Sequence, residues 1–327
     1  MIRQGVRMKT LIYGAGTLGC LYAHRLFTAG KDVTLLARDE QNVFIRENGV
    51  VLVNEFTAER ESSNVPVVEA LKEEDAYDLV VVLIRKNKLS PVFEPLSRSS
   101  RVRNILFMGN NALGFDPYLS RLPAEKVLFG FPGAGGSRKQ GVVHYVDSEK
   151  PGGKRMPITI GEVDGRSRDR TKKIGDLFKS SGVPVDVVAE IDGWLKYHVA
   201  LVSPIANALL MHDCDNYALA SDRDALRLMV RACKEGGNVL RALGYTKRQP
   251  FKWNLFYWMP ELMTAKVFGG LLNSRYAEIA FAQHAKAAPD EMRCLADEFR
   301  TLIDQTSLAT PNIDRLETGE FLQGAVS

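Results

Sequence analysis

The sequence is sparing with the residues that build metal centres, disulfide frameworks and histidine-based nucleophilic sites. Its 327 residues include four cysteines and five histidines. Cys20, Cys214, Cys233 and Cys294 stand far apart with no C-x-x-C pair. That pattern argues against a zinc site or a disulfide framework, and fits reduced thiols in a cytoplasmic protein. No Ser/His/Asp arrangement or metal-ligand cluster follows from the spacing. His24 and His284 read as ordinary helix residues, and His198 points to a different helix face from nearby Lys196. Strong charge is absent too: the net charge is +4, with basic residues scattered along the chain, which gives nucleic acid no basic stripe to bind. Long apolar runs are missing. The richest segment, Phe251 to Leu272, is interrupted by Pro260, Glu261 and Lys266 and reads as core helix, not as a membrane span. Met1 to Arg7 is polar and lacks a signal-peptide pattern. There is no internal repeat or low-complexity tract, and the length suits two domains with an ample core.

What is present begins at Thr10-Leu11-Ile12-Tyr13-Gly14-Ala15-Gly16-Thr17-Leu18-Gly19. An apolar run reads as a buried strand, breaks at Gly14-x-Gly16-x-x-Gly19, and passes into Leu18, Leu21, Tyr22 and Leu26 at helical spacing. In such a turn Gly14 permits the tight bend, Gly16 lets the backbone approach a diphosphate, and Gly19 lets helix pack on strand. The diphosphate then meets N–H groups at the helix N-terminus. A second strand, Asp32 to Ala37, arrives on schedule, which strengthens the dinucleotide reading over a merely structural turn. It ends at Arg38, where an NAD site usually offers a carboxylate to the ribose. An arginine there suits the 2′-phosphate of NADP; the competing reading is a solvated surface arginine beside Asp39 and Glu40.

Val50 to Val53 reads as an edge strand. Asp78 to Ile84 is an apolar run rich in β-branched residues, as in a parallel strand buried on both faces, and delivers Arg85-Lys86-Asn87-Lys88. Asn104 to Met108 delivers Gly109-Asn110-Asn111, and Val127 to Phe129 opens into the glycine-rich loop Gly130 to Ser137. That loop is no P-loop, because Gly136 stands where lysine should. Strands at Gly141 to Val146, Met156 to Ile160 and Val185 to Val188, with a helix from Arg168 to Lys179, complete the first half. From Ala189 helical periods take over: Ile191 to Leu210, Ala220 to Leu243, Leu255 to Leu272, Arg275 to Ala287 and Pro289 to Thr306. The expected organisation is an α/β dinucleotide-binding domain with a parallel sheet over 1–188, and an all-helical substrate domain over 189–327.

Hydride transfer to a carbonyl needs a proton donor beside the oxygen. Lys196, at the start of the first helix of the second half, is the best candidate. A lysine is protonated at neutral pH, and its charge also holds a carboxylate. Its plain alternative is a solvated helix face.

The glycine turn, the Arg38 strand end, Asn110 after an apolar strand, Trp194-x-Lys196 opening the helical half, and Thr310-Pro311-Asn312 together resemble the ketopantoate reductase (2-dehydropantoate 2-reductase) family. The resemblance spans essentially the whole chain. It implies a Rossmann-like N-terminal domain, a C-terminal domain of the helical type seen in 6-phosphogluconate dehydrogenase, and NADPH-dependent reduction of a 2-oxo acid, a step of pantothenate biosynthesis in that family. It also implies roles: Gly14, Ala15, Gly16, Thr17, Leu18 and Gly19 at the cofactor, Arg38 on the 2′-phosphate, and Arg85 where a lysine often lies near the cofactor. Asn110 would touch nicotinamide ribose and substrate, and Lys196 would be the proton donor. Counting back from Pro311 puts the family's active-site glutamate at Glu291, with Glu278 as the rival.

The chain departs from the family after the lysine. Ala200 and Ser203, followed by Pro204, stand where two asparagines are expected, and the substrate-holding serine has no counterpart around Ile279. Asn111 replaces the usual glycine. Asn207 shares the Lys196 face and could replace a lost amide only if Pro204 does not redirect the helix. The expected substrate is therefore a small carboxylated carbonyl with less polar content than ketopantoate, and no metal, nucleic acid or membrane is expected. Two other readings stand beside this one: another NADP-dependent hydroxy acid dehydrogenase, and a non-catalytic NADPH-binding sensor. Exposed helical faces could pair, so a homodimer stays open.

Overall fold

The computed structural model describes residues 8–247 and 251–319; the polar Met1 to Arg7 stretch lies outside them. The chain forms two compact units. One takes in residues up to Gly109 together with Phe115–Ile191, and the other takes Asn110–Gly114 and the residues from Asp192 onward. Local periodicity gives no sign that the short Asn110–Gly114 segment belongs with the helical unit.

The first unit runs β1 (Thr10–Tyr13), α1 (Thr17–Thr28), β2 (Val33–Leu36), α2 (Asp39–Asn48), β3 (Val50–Asn54), β4 (Arg60–Ser63), β5 (Val67–Val68) and β6 (Leu79–Val82). It continues with α3 (Ser90–Arg98), β7 (Ile105–Met108), α4 (Asp116–Leu119), β8 (Val127–Phe131), β9 (Gly135–Lys139), β10 (Val142–Val146), β11 (Ile158–Glu162), α5 (Asp169–Lys179) and β12 (Val185–Val187). Eight strands make one sheet in the order β12-β11-β8-β7-β6-β1-β2-β5. Every neighbouring pair is parallel except β8 with β11. Every residue of β1, β6 and β7 is buried, which is why these strands read as continuous apolar runs rather than alternating ones. Strand order reverses at β1, the point where open α/β sheets bind ligands beyond their carboxyl ends.

Two expectations about this half are corrected. Val50 to Val53 is not an edge strand of the main sheet. It lies inside a separate four-stranded sheet of order β4-β3-β10-β9, because the Arg60–Ser63 strand folds back on it antiparallel and β10 takes its other side. The glycine-rich stretch is not a loop throughout. Gly135 and Gly136 open β9, and a Cβ at Gly136 would stand 2.1 Å from the His144 carbonyl oxygen, so absent side chains are what let β9 pair with β10.

The second unit holds α6 (Ile191–Leu210), α7 (Asn216–Ser221), α8 (Arg223–Ala242), α9 (Leu255–Trp258) and α10 (Glu261–Leu272). Then come α11 (Arg275–Ala277), a π-helical stretch (Glu278–Ala282), α12 (Gln283–Ala287), α13 (Pro289–Ile303) and α14 (Pro311–Thr318). Its core packs Tyr197, Ala200, Met229, Leu240, Trp253, Phe268, Leu295 and Phe299. The helix expected over Ala220 to Leu243 breaks at Asp222, and α7 begins at Asn216, where no helix was expected. Asp215 and Asp222 accept the first backbone N–H groups of α7 and α8, each cap contributing about 0.5–2 kcal/mol, and Pro260 separates α9 from α10. Pro204 lies inside α6, which continues past it to Leu210.

Candidate active site

The glycine turn divides its labour. Gly14 has φ +117°, and a Cβ there would lie 2.7 Å from the Leu83 carbonyl oxygen; at Gly19 it would lie 1.8 Å from the Gly14 carbonyl oxygen. Those two glycines serve the protein's own packing. A Cβ at Gly16 would meet nothing within 4 Å, so this glycine borders open space. No side chain caps α1 and no acid sits in its first turn. Ala15, Thr17 and Leu18 thus offer backbone at the positive end of a helix dipole, and these residues fit a dinucleotide diphosphate.

Arg38 follows β2, is exposed, and donates to the Tyr13 hydroxyl at 2.9 Å. Its guanidinium also stands over that ring, 5.9 Å from the centroid. Burial pushes the Tyr13 phenol up, against the opposing pull of Arg38, so Tyr13 stays a neutral acceptor that steadies the arginine. Arg85 is exposed beside the short Lys86–Lys88 turn. Lys86 points to Tyr118, with its ammonium 3.2 Å from the hydroxyl and 4.9 Å from the ring centroid.

In the second unit Lys196 is buried, 4% exposed. The solvated-face alternative is therefore wrong. Its ammonium donates to Asp192, one turn earlier on α6, and lies 5.0 Å from the Tyr245 ring centroid. Tyr245 donates its hydroxyl to the other Asp192 oxygen at 2.8 Å. Burial, reinforced by Asp192, raises the Tyr245 pKa and keeps that hydroxyl protonated. Tyr197 in turn donates to the Tyr245 carbonyl at 2.7 Å. The spacing of Asp192 and Lys196 was legible in the sequence; the arrival of Tyr245 was not.

The Asn110–Gly114 segment belongs to the same unit. Gly114 has φ +81°, and a Cβ there would stand 3.0 Å from Lys196 Nζ and 3.3 Å from Asp192 Oδ1. Asn111, at the position where glycine is usual, donates to the Gly114 carbonyl at 2.8 Å and closes the turn. Ala112 N–H donates to Glu298 Oε2 at 3.3 Å. Asn110 Oδ1 is buried with no hydrogen-bond partner among the described residues. A buried amide oxygen is seldom left so, and it suits a donor from a bound molecule.

Of the two glutamates, Glu291 is buried in the first turn of α13 and lies 3.6 Å from His284 Nε2. It shares a helix face with Glu298, two turns on, which holds Ala112. Glu278 instead binds Arg275 and the Tyr217 hydroxyl. Its burial sets Glu291 apart from Glu278, while the link to the Asn110–Gly114 segment is made by Glu298 on the same helix. His284, expected to be an ordinary helix residue, is its neighbour. His198 stacks on Trp194 with centroids 5.3 Å apart. His24 lies buried between Ser63 Oγ at 2.9 Å and Glu61 at 3.5 Å. Burial lowers its pKa more than Glu61 raises it, so it acts as a neutral tie from α1 to β4. Thr310-Pro311-Asn312 opens α14, where Glu235 of α8 receives the backbone N–H of Asn312 at 3.0 Å, that of Ile313 at 3.0 Å, and the Asn312 amide. Among the described residues no group of His, Cys, Asp and Glu could hold a metal, and no helix is long and apolar enough to cross a membrane.

A glycine turn at the switch point of a parallel-dominated sheet defines a dinucleotide-binding class of fold, and a helical unit with a buried lysine follows it. Residues 10–161 match the family model described as ketopantoate reductase PanE/ApbA. The matched region runs from β1 into β11 of the first unit. It is 25% identical over 239 residues to the 2-dehydropantoate 2-reductase of Pyrococcus abyssi, covering 71% of this chain and 73% of that protein. It is 24% identical over 196 residues to the uncharacterized oxidoreductase YkpB of Bacillus subtilis, covering 58% of this chain and 61% of that protein. The chain therefore spans about three fifths of the length of YkpB. The 2-dehydropantoate 2-reductase of Geobacter metallireducens has the same fold, with TM-score 0.76 and 19% identity over 94% of this chain and 98% of that one. So does D-mandelate dehydrogenase solved with NADH and anilino(oxo)acetate, with TM-score 0.75 and 16% identity over 94% of this chain and 96% of that one.

Proposed function

We propose that this protein reduces a 2-oxo acid, or a related carboxylated carbonyl, with NADPH. The observation that carries the reading is the buried Lys196, held by Asp192 beside Tyr245 and Gly114. An ammonium kept from bulk water is a positioned acid, whereas a solvated one is not. When bound, the cofactor supplies the hydride. Lys196 gives its proton to the carbonyl oxygen, and its charge attracts the substrate carboxylate. Asn110 offers its unpartnered amide oxygen to a donor of cofactor or substrate, and Glu291 hydrogen-bonds the substrate. Arg38 favours NADPH by receiving the 2′-phosphate with the N–H groups not engaged by Tyr13. Ala200, buried where an amide is expected, supports a substrate less polar than ketopantoate, and the neighbour named D-mandelate dehydrogenase is in keeping with a wider range of 2-oxo acids.

The test is NADPH consumption against a panel of 2-oxo acids, ketopantoate included, with an NADPH titration of the intact protein and of Lys196→Ala. The expected result is turnover that falls about 10²–10⁴-fold in the variant while NADPH still binds. Tight NADPH binding with silence across the panel would make the chain a binding protein. Undiminished turnover by Lys196→Ala would remove the lysine from the chemistry.

A further inference from the structure

The glycine-rich stretch, rejected as a P-loop, has a different consequence at the cofactor turn. By pairing antiparallel with β10 it becomes β9, and Arg138 lies opposite Val143 in that pairing. Arg138 is exposed at its residue level, yet its Nη1 donates to the carbonyl of Ala15, inside the glycine turn, at 2.9 Å. Ala15 is bonded to Gly16, the glycine that borders open space. A second sheet thus carries a guanidinium to the residue next to Gly16, where the turn borders open space. The charge is felt there: Arg138 opposes the upward pull of burial on the Cys20 thiol in the first turns of α1. Arginine presents five N–H donors in a planar fork, so engaging Ala15 with one leaves others for a phosphate beside the same turn.

The geometry points to Arg138 as a ligand of the cofactor diphosphate, added to the helix terminus by the small β4-β3-β10-β9 sheet. This rests on the dinucleotide reading of the turn. Arg138 and Arg38 divide the anionic groups of the cofactor. Arg38, at the end of β2, serves the 2′-phosphate, and Arg138 serves the diphosphate. The arginine has a second role in shaping the turn through Ala15, and the experiment must separate the two.

Binding of NADPH, ADP-ribose and adenosine 2′-monophosphate is measured by titration or competition on the intact protein and on Arg138→Ala and Arg138→Lys, with thermal unfolding of each without ligand. The expected result for Arg138→Ala is about tenfold or greater weakening of NADPH and ADP-ribose, as for loss of a charge-assisted hydrogen bond. Adenosine 2′-monophosphate, which has no diphosphate, should bind unchanged, and Arg138→Lys should recover part of the loss through its charge. Unchanged NADPH affinity in Arg138→Ala overturns the assignment. Equal weakening of all three ligands, with a lowered melting temperature, would make Arg138 a support of the turn and overturns it as well. Failure of the unaltered protein to bind NADPH or ADP-ribose would instead bring down the dinucleotide reading and this inference with it.

Discussion

Gly114→Ala is the sharpest test of how Lys196 is placed, because it alters neither the lysine nor its partners. At φ +81° an L-residue is strained, at a cost of about 1–2 kcal/mol. The added Cβ would stand 3.0 Å from Lys196 Nζ and 3.3 Å from Asp192 Oδ1, inside the roughly 3.5–4.0 Å of an unstrained contact. The end of a lysine is the softest thing nearby, so it moves before the backbone does, by some tenths of an ångström up to about 1 Å. Misplacement on that scale costs up to about 10²-fold in rate. We expect kcat to fall about 10–100-fold on that scale, NADPH affinity to stay the same, and the melting temperature to drop by about 2–8 °C for the backbone strain. Stopped-flow or steady-state NADPH oxidation, a cofactor titration and a thermal melt read the three quantities separately. A lowered melting temperature with kcat intact would show that the Gly114 contact does not position a reacting group, and would count against Lys196 as the donor.

Glu235→Ala should strip α14 of its cap, leaving the Asn312 and Ile313 N–H groups without the carboxylate. The loss is about 1–3 kcal/mol, visible as a lower midpoint in urea, and a shift too small to measure would refute the capping role. Arg38→Ala should reduce the preference for NADPH over NADH by about tenfold, read from the two dissociation constants; an unchanged ratio would return Arg38 to the solvated surface. Glu162 is buried, and burial alone would raise its pKa, but hydrogen bonds from Arg170 and Thr171, the Arg170 charge and Arg168 outweigh it and hold it below the usual 4.5. A depressed carboxylate stabilises the fold above its unfolded pKa, and that contribution fades as pH falls through the folded value. Melting temperature should therefore drop as pH is lowered from about 4.5, and more shallowly in Glu162→Gln; equal slopes would refute it. Ala200→Asn should destabilise the helical unit without conferring ketopantoate turnover, as a thermal melt and the oxo acid panel would show.

The fold was legible wherever neighbours in sequence decide the structure. β1 and α1 follow from Leu11 to Leu26 because strand, turn and helix are consecutive, and α6 was readable over its full length from periodicity alone. What was not legible depends on distant partners. Val50 to Val53 looks the same as an edge strand or as the middle of a second sheet, and only Arg60–Ser63 and β10 decide. Asp215 and Asp222 were visible as residues, but the apolar spacing carried the expected helix through Asp222 and marked no helix after Asp215. At the site, Lys196 and Asp192 are one helical turn apart and could be paired on paper. Tyr245, Gly114 and Glu298 reach the same neighbourhood from far along the chain, and no spacing announces them. The Thr310-Pro311-Asn312 motif, part of the family resemblance, turns out to hold α14 to Glu235.

Ala200 joins the two kinds of information. By resemblance it is a missing substrate amide; in the structure it is a fully buried contact between helices. A Cβ at Gly236 of α8 would lie 3.2 Å from Ala200 Cβ and 3.4 Å from both the Ala200 carbonyl oxygen and Phe299. α8 comes this close to α6 because both positions are small. An asparagine at 200 would have to push α8 away, an overpacking that costs about 1–3 kcal/mol, or bury an amide without partners. The loss of the amide and the close approach of the helices are therefore one feature. If substrate recognition changed along this face of α6, it did so with the packing of the helical unit, and restoring one side chain would not reverse it.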